Sequence, residues 1–284
     1  MGWIWAVALV FLLQGAAGAE EVAAPLEDSA APLEDSAAES PAALLRRAFE
    51  NFYADGYVQE MTLSTSRGGG QALERRLQVT RKQSTRPGKA LVRFLEPPTL
   101  RRTSVLVLEN EGAYDDFWVY LPALKRTRRI GGAQRGDSFF GTDLSYEDVE
   151  PKHADDWNVR VLGREAVAGQ PCIQLEIVPR EGYESTYEKM ISCVDPTVAT
   201  ILRTEFYERG QLRKLLEAEP ESVREISGRF IPFRLVMTTP KRKTETLVET
   251  ELYEIRADVP DELFTTWNLE SGDADRDRSA IEGR

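Results

Sequence analysis

From Tyr57 to Ile255 the sequence repeats one theme: short runs in which apolar and polar residues alternate, joined by brief linkers rich in Gly, Pro or Asp. KALVRFLE (89–96), TSVLVLE (103–109), CIQLEIVP (172–179), ATILRTEFYE (199–208) and TETLVETELYEI (244–255) all show the period of two that marks a strand with one wet and one dry face. A single stretch of helical spacing precedes them, PAALLRRAFENFYA (41–54), with Leu44, Leu45, Ala48, Phe49 and Phe52 on one side. The pattern predicts a mainly β fold, a curled antiparallel sheet of about eleven strands with little helix to cover its dry face. Such a sheet either closes on a filled core, as a sandwich does, or leaves a cavity inside the curl. By alternation Val92, Phe94, Val105, Val107 and Phe117 point inward, followed by Val119, Leu175, Phe206, Phe233 and Leu235. They are expected to line the cavity or, in the alternative, to be ordinary core.

The ends of the chain read differently. Residues 3–13, WIWAVALVFLL, form an apolar run shorter than a bilayer span, followed by small residues at Ala17 and Ala19. This predicts a signal peptide over 1–19, cleaved near Ala19/Glu20, with a retained anchor as the alternative. Residues 20–40 hold APLEDSA twice in tandem, with seven acids and no base, the composition of a disordered linker. The folded domain is expected over 41–269 and a charged, disordered tail over 270–284, ending in IEGR. The net charge of −11 belongs mostly to these ends, so the body is nearly neutral and carries no electrostatic footprint for nucleic acid.

The body offers little catalytic chemistry. His153 is the only histidine, which excludes a multi-histidine metal site. There is no CxxC and no phosphate-binding glycine loop. GDSF (136–139) is similar to the nucleophile block of GDSL-type lipases over four letters only, and it sits among strands. The neighbouring acids Asp115 and Asp116, or Asp155 and Asp156, should point apart or into water. The expectation is a protein that is not an enzyme and carries no cofactor or metal. Cys172 and Cys193 flank the turn-like REGYES, and a hairpin symmetric about residues 182 and 183 places them opposite one another. They are read as a disulfide in an oxidising compartment, or else as two free thiols on different faces.

One stretch departs from the alternation: YLPALKRTRRIGGAQRGDSFFGTDLSYEDVE (120–150). A strand breaks at Pro122 and resumes through Lys125, Arg126, Arg128 and Arg129. A glycine-punctuated loop follows with Arg135 and two exposed-looking phenylalanines, Phe139 and Phe140, leading to a short helix capped near Thr142 or Asp143. The bases read as a rim that meets anionic headgroups or an acidic partner, with the phenylalanines as gate or wedge. Alternatively they pair internally with Asp137, Asp143, Glu147, Asp148 and Glu150.

This block resembles the signature of the LolA-like outer-membrane lipoprotein-sorting proteins, in particular the branch found with transporters of the resistance-nodulation-division type. LVRFLEPPTLRRTSVLVLEN, DPTVATILRTEFYERGQLRKLLE, GRFIPFRLVMT and LYEIRADVPDELFT resemble other parts of the same family, so the likeness covers about 42–269. It implies an open (half) β-barrel with a few helices covering a hydrophobic cavity. It also implies a monomeric periplasmic carrier that binds the acyl part of a lipid or lipoprotein and shuttles it between membranes. The implied partners are an inner-membrane transporter of that type and, transiently, the membrane surface. The alternative on the same fold is a lipid-sensing or adaptor protein that carries nothing.

Overall fold

The computed structural model describes residues 39–53, 56–82, 87–110 and 115–282. The expected signal peptide, and all of the expected linker but its last two residues, lie outside the described residues. Helix α1 (Pro41–Tyr53) comes first. A meander of β1 (Tyr57–Arg67), β2 (Leu73–Lys82), β3 (Lys89–Glu96), β4 (Ser104–Leu108), β5 (Asp116–Leu121) and β6 (Arg126–Ile130) follows. The second meander is β7 (Trp157–Val167), β8 (Gln170–Pro179), β9 (Lys189–Val194), β10 (Ile201–Glu208) and β11 (Gln211–Ala218). A small hairpin, β12 (Val223–Ile226) and β13 (Arg229–Pro232), leads to β14 (Arg234–Thr239) and β15 (Thr244–Ile255), and the chain ends in α2 (Thr266–Ser271) and α3 (Ala274–Ile281).

Thirteen strands form one antiparallel sheet in the order β6-β5-β4-β3-β2-β1-β15-β14-β11-β10-β9-β8-β7, and β12 pairs only with β13. The fold is therefore the mainly β, open-sheet one expected, with somewhat more strands. The extra ones are short or polar: β6 reads Arg-Thr-Arg-Arg-Ile, and FIPFRLVMTT divides between β13 and β14. The hairpin β14–β15 closes the gap between the meanders, β15 pairing with β1 and β14 with β11. Among the described residues the sheet edges, β6 and β7, pair with nothing beyond.

The inner face carries two apolar clusters. One joins Leu63, Leu77, Val92, Phe94, Val105 and Phe117 of the first meander, and the other sets Leu44, Leu45 and Phe49 of α1 on Trp157, Leu175, Ile177 and Phe206. Full burial of each such leucine or phenylalanine contributes about 1.5–3 kcal/mol. Asn51 fixes the end of α1, its Nδ2 donating to the carbonyls of Val198 and Ala199 at 2.8 Å each. On the outer face, Cys172 and Cys193 are bonded, with Cα atoms 5.5 Å apart. The pairing there is Ile173 with Val194 and Gln174 with Cys193. The hairpin is centred one residue later than expected, so the cysteines are diagonal rather than opposite neighbours. A change of two positions in the partner keeps both side chains on the same face.

The expected disordered tail is a correction. Helix α3 is capped by Asp273, whose side chain accepts the N–H of Arg276, and it buries Asp277 and Ile281. The tail's charge, read as a sign of disorder, is neutralised by the sheet. Arg93, 2 % exposed, donates from Nε to Asp277 at 2.8 Å and from its other nitrogens to Ser104 and to the carbonyls of Asn268 and Leu269. Arg278 pairs with Glu60. Around this polar knot Val259, Leu263, Phe264, Leu269 and Ile281 pack on Val58, Leu91 and Leu106. Removing one member of a buried, fully hydrogen-bonded pair leaves its partner uncompensated, at a cost of about 3–5 kcal/mol. Asp277→Ala should therefore lower the melting temperature by about 10 °C, measured by calorimetry; a shift like that of an exposed tail mutant, such as Glu282→Ala, would show that α3 does not hold the sheet.

Candidate functional site

Because β6 and β7 lie at opposite ends of the sheet, the segment joining them, residues 131–156, crosses its inner face. Phe140 and Gly141 take left-handed backbone angles, φ 49° and 79°, and reverse the chain there. Ser138 pairs with Ser145, and the Phe139 N–H donates to the Leu144 carbonyl at 2.7 Å, so the crossing satisfies much of its own backbone. The expected short helix is one 3-10 turn, Glu147–Val149. Thr142 and Asp143 cap nothing: Thr142 donates to the Phe139 carbonyl, and the Asp143 carboxylate accepts the hydroxyls of Thr244 and Thr246 on β15.

Between this segment, α1 and the sheet lies a cavity of ≈260 Å³. Its wall draws Leu63, Leu77 and Val79 from the first meander, Ile177, Met190 and Leu216 from the second, and Met237 and Val248 from the closing hairpin. Phe49 and Phe52 of α1 and Phe139, Leu144 and Val149 of the crossing complete it. Of the ten residues expected to line a cavity, Val92, Val105, Val107, Phe206 and Leu235 do so. Phe94, Phe117 and Val119 are core instead, because the crossing covers them. Phe94 lies 6.0 Å from Phe139 and 4.5 Å from Phe140 between ring centres, and Phe117 meets the edge of Tyr146. Leu175 is buried beneath α1, and Phe233 lies under the Arg224 guanidinium at 4.0 Å.

The expected rim divides. Lys125, Arg126, Arg128 and Arg129 are exposed, Arg129 pairing with Asp116. Arg135 is buried, its Nε 2.7 Å from Glu150 and its Nη1 2.8 Å from the Glu184 carbonyl. Phe139 is 2 % exposed. Neither belongs to a rim or a docking wedge: the crossing needs an apolar anchor and a paired charge to hold it on the sheet, and these two residues supply them. Glu147 accepts from Ser185 and from Thr186. Asp148 accepts from Lys214 at 2.6 Å, the Tyr187 hydroxyl at 2.8 Å and the Ser145 N–H at 2.7 Å. Burial alone would raise the Asp148 carboxyl; the Lys214 charge and hydrogen bond outweigh it and hold it below its ordinary value.

A second charged group stands beside the cavity. Glu109 receives Arg81 at 2.5 Å and the Gly88 N–H at 2.8 Å, and His153 Nε2 is 3.3 Å away. Burial acts to raise this carboxyl, but the His153 imidazole and the Arg81 charge prevail and hold it at about 2. Asp115, expected to point apart from Asp116 or into water, is half-buried, and its carboxyl is pushed up to about 7 by burial and then by the charge of Glu150. The sequence reading missed these wall residues, although a signal existed. Arg81 continues the register of Leu77 and Val79, and Lys214 that of Leu216, which puts a cation on the apolar side of a strand.

A family model described as "-like: Uncharacterized protein" matches residues 87–271. A DUF1329 family protein from Desulfovibrio piger ATCC 29098 is 26% identical, over 81% of this chain and 97% of its own, with a TM-score of 0.75. A domain from Vibrio parahaemolyticus, described as an outer membrane lipoprotein-sorting protein, is 23% identical, over 80% and 97%, with a TM-score of 0.71. A LolA superfamily protein from Nitrosomonas europaea is 22% identical, over 81% and 99%, with a TM-score of 0.66. The chain belongs to the family that this model describes, and it has the LolA-like fold of these solved structures. No curated protein matches its sequence. The cavity lies between the inner face of the sheet, α1 and the crossing. Among the described residues no helix is long and apolar enough to cross a membrane.

Two of the perturbed carboxyls, Glu109 and Asp115, act in opposite pH windows. Glu109 is depressed, so its contribution is present above about pH 4.5 and is lost as the pH falls towards 2. Asp115 is raised: the folded state keeps its proton up to about pH 7 while the unfolded chain releases it near 4, so stability falls as pH rises across that interval. Asp115→Asn should remove that loss. Its melting temperature relative to the parent should climb from pH 4 to 7 and then level off, whereas parallel curves would show that the Asp115 carboxyl is not shielded from water.

Proposed function

We propose that the protein is a carrier exported to the periplasm, with its signal peptide cleaved near Ala19/Glu20. It would hold the acyl part of a lipid or lipoprotein in the cavity and pass it between membranes. The observation that carries this reading is the apolar cavity walled jointly by both meanders, α1 and the crossing. A sixteen-carbon chain crossing water unprotected meets a barrier on the order of 12 kcal/mol at ~0.8 kcal/mol per CH2. An apolar cavity removes most of it without any chemistry. The disulfide supports an oxidising compartment, and the description of the Vibrio neighbour supports sorting between membranes.

The donor surface proposed is an inner-membrane transporter of the resistance-nodulation-division type, or the membrane itself, met transiently by a monomer. Support comes from β6 and the turn before it. Leu124 is 63 % exposed, and among the described residues Lys125, Arg126 and Arg128 make no ion pair. An edge strand dense in unpaired bases also resists pairing with other strands.

Two measurements test this. Native mass spectrometry of the mature protein from its own envelope should show a discrete lipid mass, and Val79→Trp, at a half-buried wall position, should lose uptake of a fluorescent fatty acid while keeping its fold. A parent protein that neither carries lipid nor takes up the probe would favour the adaptor reading. Separately, Arg126→Glu with Arg128→Glu should weaken binding to vesicles containing phosphatidylglycerol at least tenfold with the melting temperature unchanged; a falling melting temperature with intact vesicle binding would make the block structural.

A further inference from the structure

An acyl chain has no use for charge, yet three charged side chains stand at the cavity wall: Arg81, Asp148 and Lys152. Two are neutralised at once, Arg81 by Glu109 and Asp148 by Lys214. Lys152 is different. It is half-buried, its Nζ donates to the Glu147 carbonyl at 2.8 Å, and among the described residues it makes no ion pair. With the two pairs cancelling, the wall keeps one positive charge, that of Lys152. The lysine is close enough to Asp148 to help hold that carboxyl down.

These groups gather at one pole of the cavity. Tyr53, also on the wall, feels Arg81, Asp148 and Glu109, and the Arg81 guanidinium lies 5.3 Å from its ring centre. Burial pushes the Tyr53 phenol up to about 12, so at neutral pH it keeps its proton and can donate. The rest of the wall is mostly aliphatic and aromatic, with Gln59, Ser192, Thr204 and Thr250 as its uncharged polar members. A cavity of ≈260 Å³ is also below the roughly 300–1,000 Å³ of common small-molecule sites, which suits one chain rather than two. We propose that the ligand is a single-chain amphiphile with an anionic head, a carboxylate or a phosphate monoester. Its chain fills the apolar cavity, while Lys152 pairs with the head and the Tyr53 hydroxyl donates to it. The inference rests on the carrier reading of the cavity and adds the chemistry of the head and the number of chains.

The test is calorimetric titration of the delipidated protein, at pH 7.5 and low salt, with four probes. These are dodecanoate, dodecyl phosphate, dodecanol and the two-chain didodecanoyl phosphatidylglycerol. The parent should bind one anion per protein at least tenfold more tightly than dodecanol, and the stronger of the two anions identifies the head. Lys152→Met should bring the anions to the level of dodecanol and leave dodecanol unchanged, while Lys152→Arg should keep the preference. Equal binding of dodecanol and both anions by the parent overturns the head assignment but not the carrier. Equal loss of all ligands in Lys152→Met also removes the head assignment, and phosphatidylglycerol binding as tightly as the single-chain anions removes the one-chain assignment. If the parent binds none of the four, the carrier reading falls with both.

Discussion

β6 and β7 follow one another in sequence but occupy opposite edges of a thirteen-stranded sheet, and most of what is particular to this protein follows from that. An antiparallel sheet whose consecutive strands are not neighbours requires a long connection. Here the connection runs across the inner face, where water is scarce and every backbone group needs a partner. The Ser138–Ser145 bridge and the Arg135–Glu150 pair meet that need internally, while Asp143 and Asp148 tie the crossing to β15 and β11 and Glu147 ties it to the loop between β8 and β9. The order of the stretch 120–150 is then explained. Bases mark an exposed edge, glycine permits the reversal, phenylalanine fills the dry face, and acids anchor the far side.

Buried charges are tolerable here because each is closed by a partner. Removing a carboxylate from water costs several kcal/mol unless hydrogen bonds replace the lost solvation. Asp148 has a lysine, a tyrosine and a serine around it, Glu109 an arginine, a histidine and a backbone N–H, and Asp277 an arginine and an asparagine. Closing these pairs also fixes geometry. The crossing cannot slide along the sheet without exposing Asp148 to an apolar wall, so the cavity keeps its shape although its lining is soft.

The fold class was legible because alternation with period two survives in almost every strand, and the early helix was legible from the spacing of Leu44, Leu45, Ala48 and Phe49. Inward positions were legible as a face but not as a surface. Val92 and Phe94 have the same parity on the same strand, yet one meets the cavity and the other a phenylalanine cluster, because only the crossing decides which. Arg135 and Phe139 misled in the same way: a base and an aromatic in a polar loop look exposed until the loop is known to lie on the sheet. The tail misled for a different reason. Its charges signal disorder only if they stay in water, and the partner that removes them, Arg93, stands 184 residues away from Asp277 in a strand read as ordinary.

The division of the sheet into two faces accounts for how a cavity can persist at all. By the scale of cavity-forming mutations, about 24 cal/mol per Å³, an apolar cavity of ≈260 Å³ sets aside packing worth about 6 kcal/mol, a large part of the 5–15 kcal/mol that stabilises a typical domain. That deficit has to be made up where it does not fill the cavity. The outer face does so: the disulfide crosses one hairpin there, and the C-terminal helices bury a continuous apolar patch around Arg93 and Asp277. An acyl chain entering the inner face would restore part of the missing contact without requiring a new fold. Stability drawn from one face thus leaves the other able to keep an unfilled cavity, which a solid sandwich core, stabilised from within, could not do.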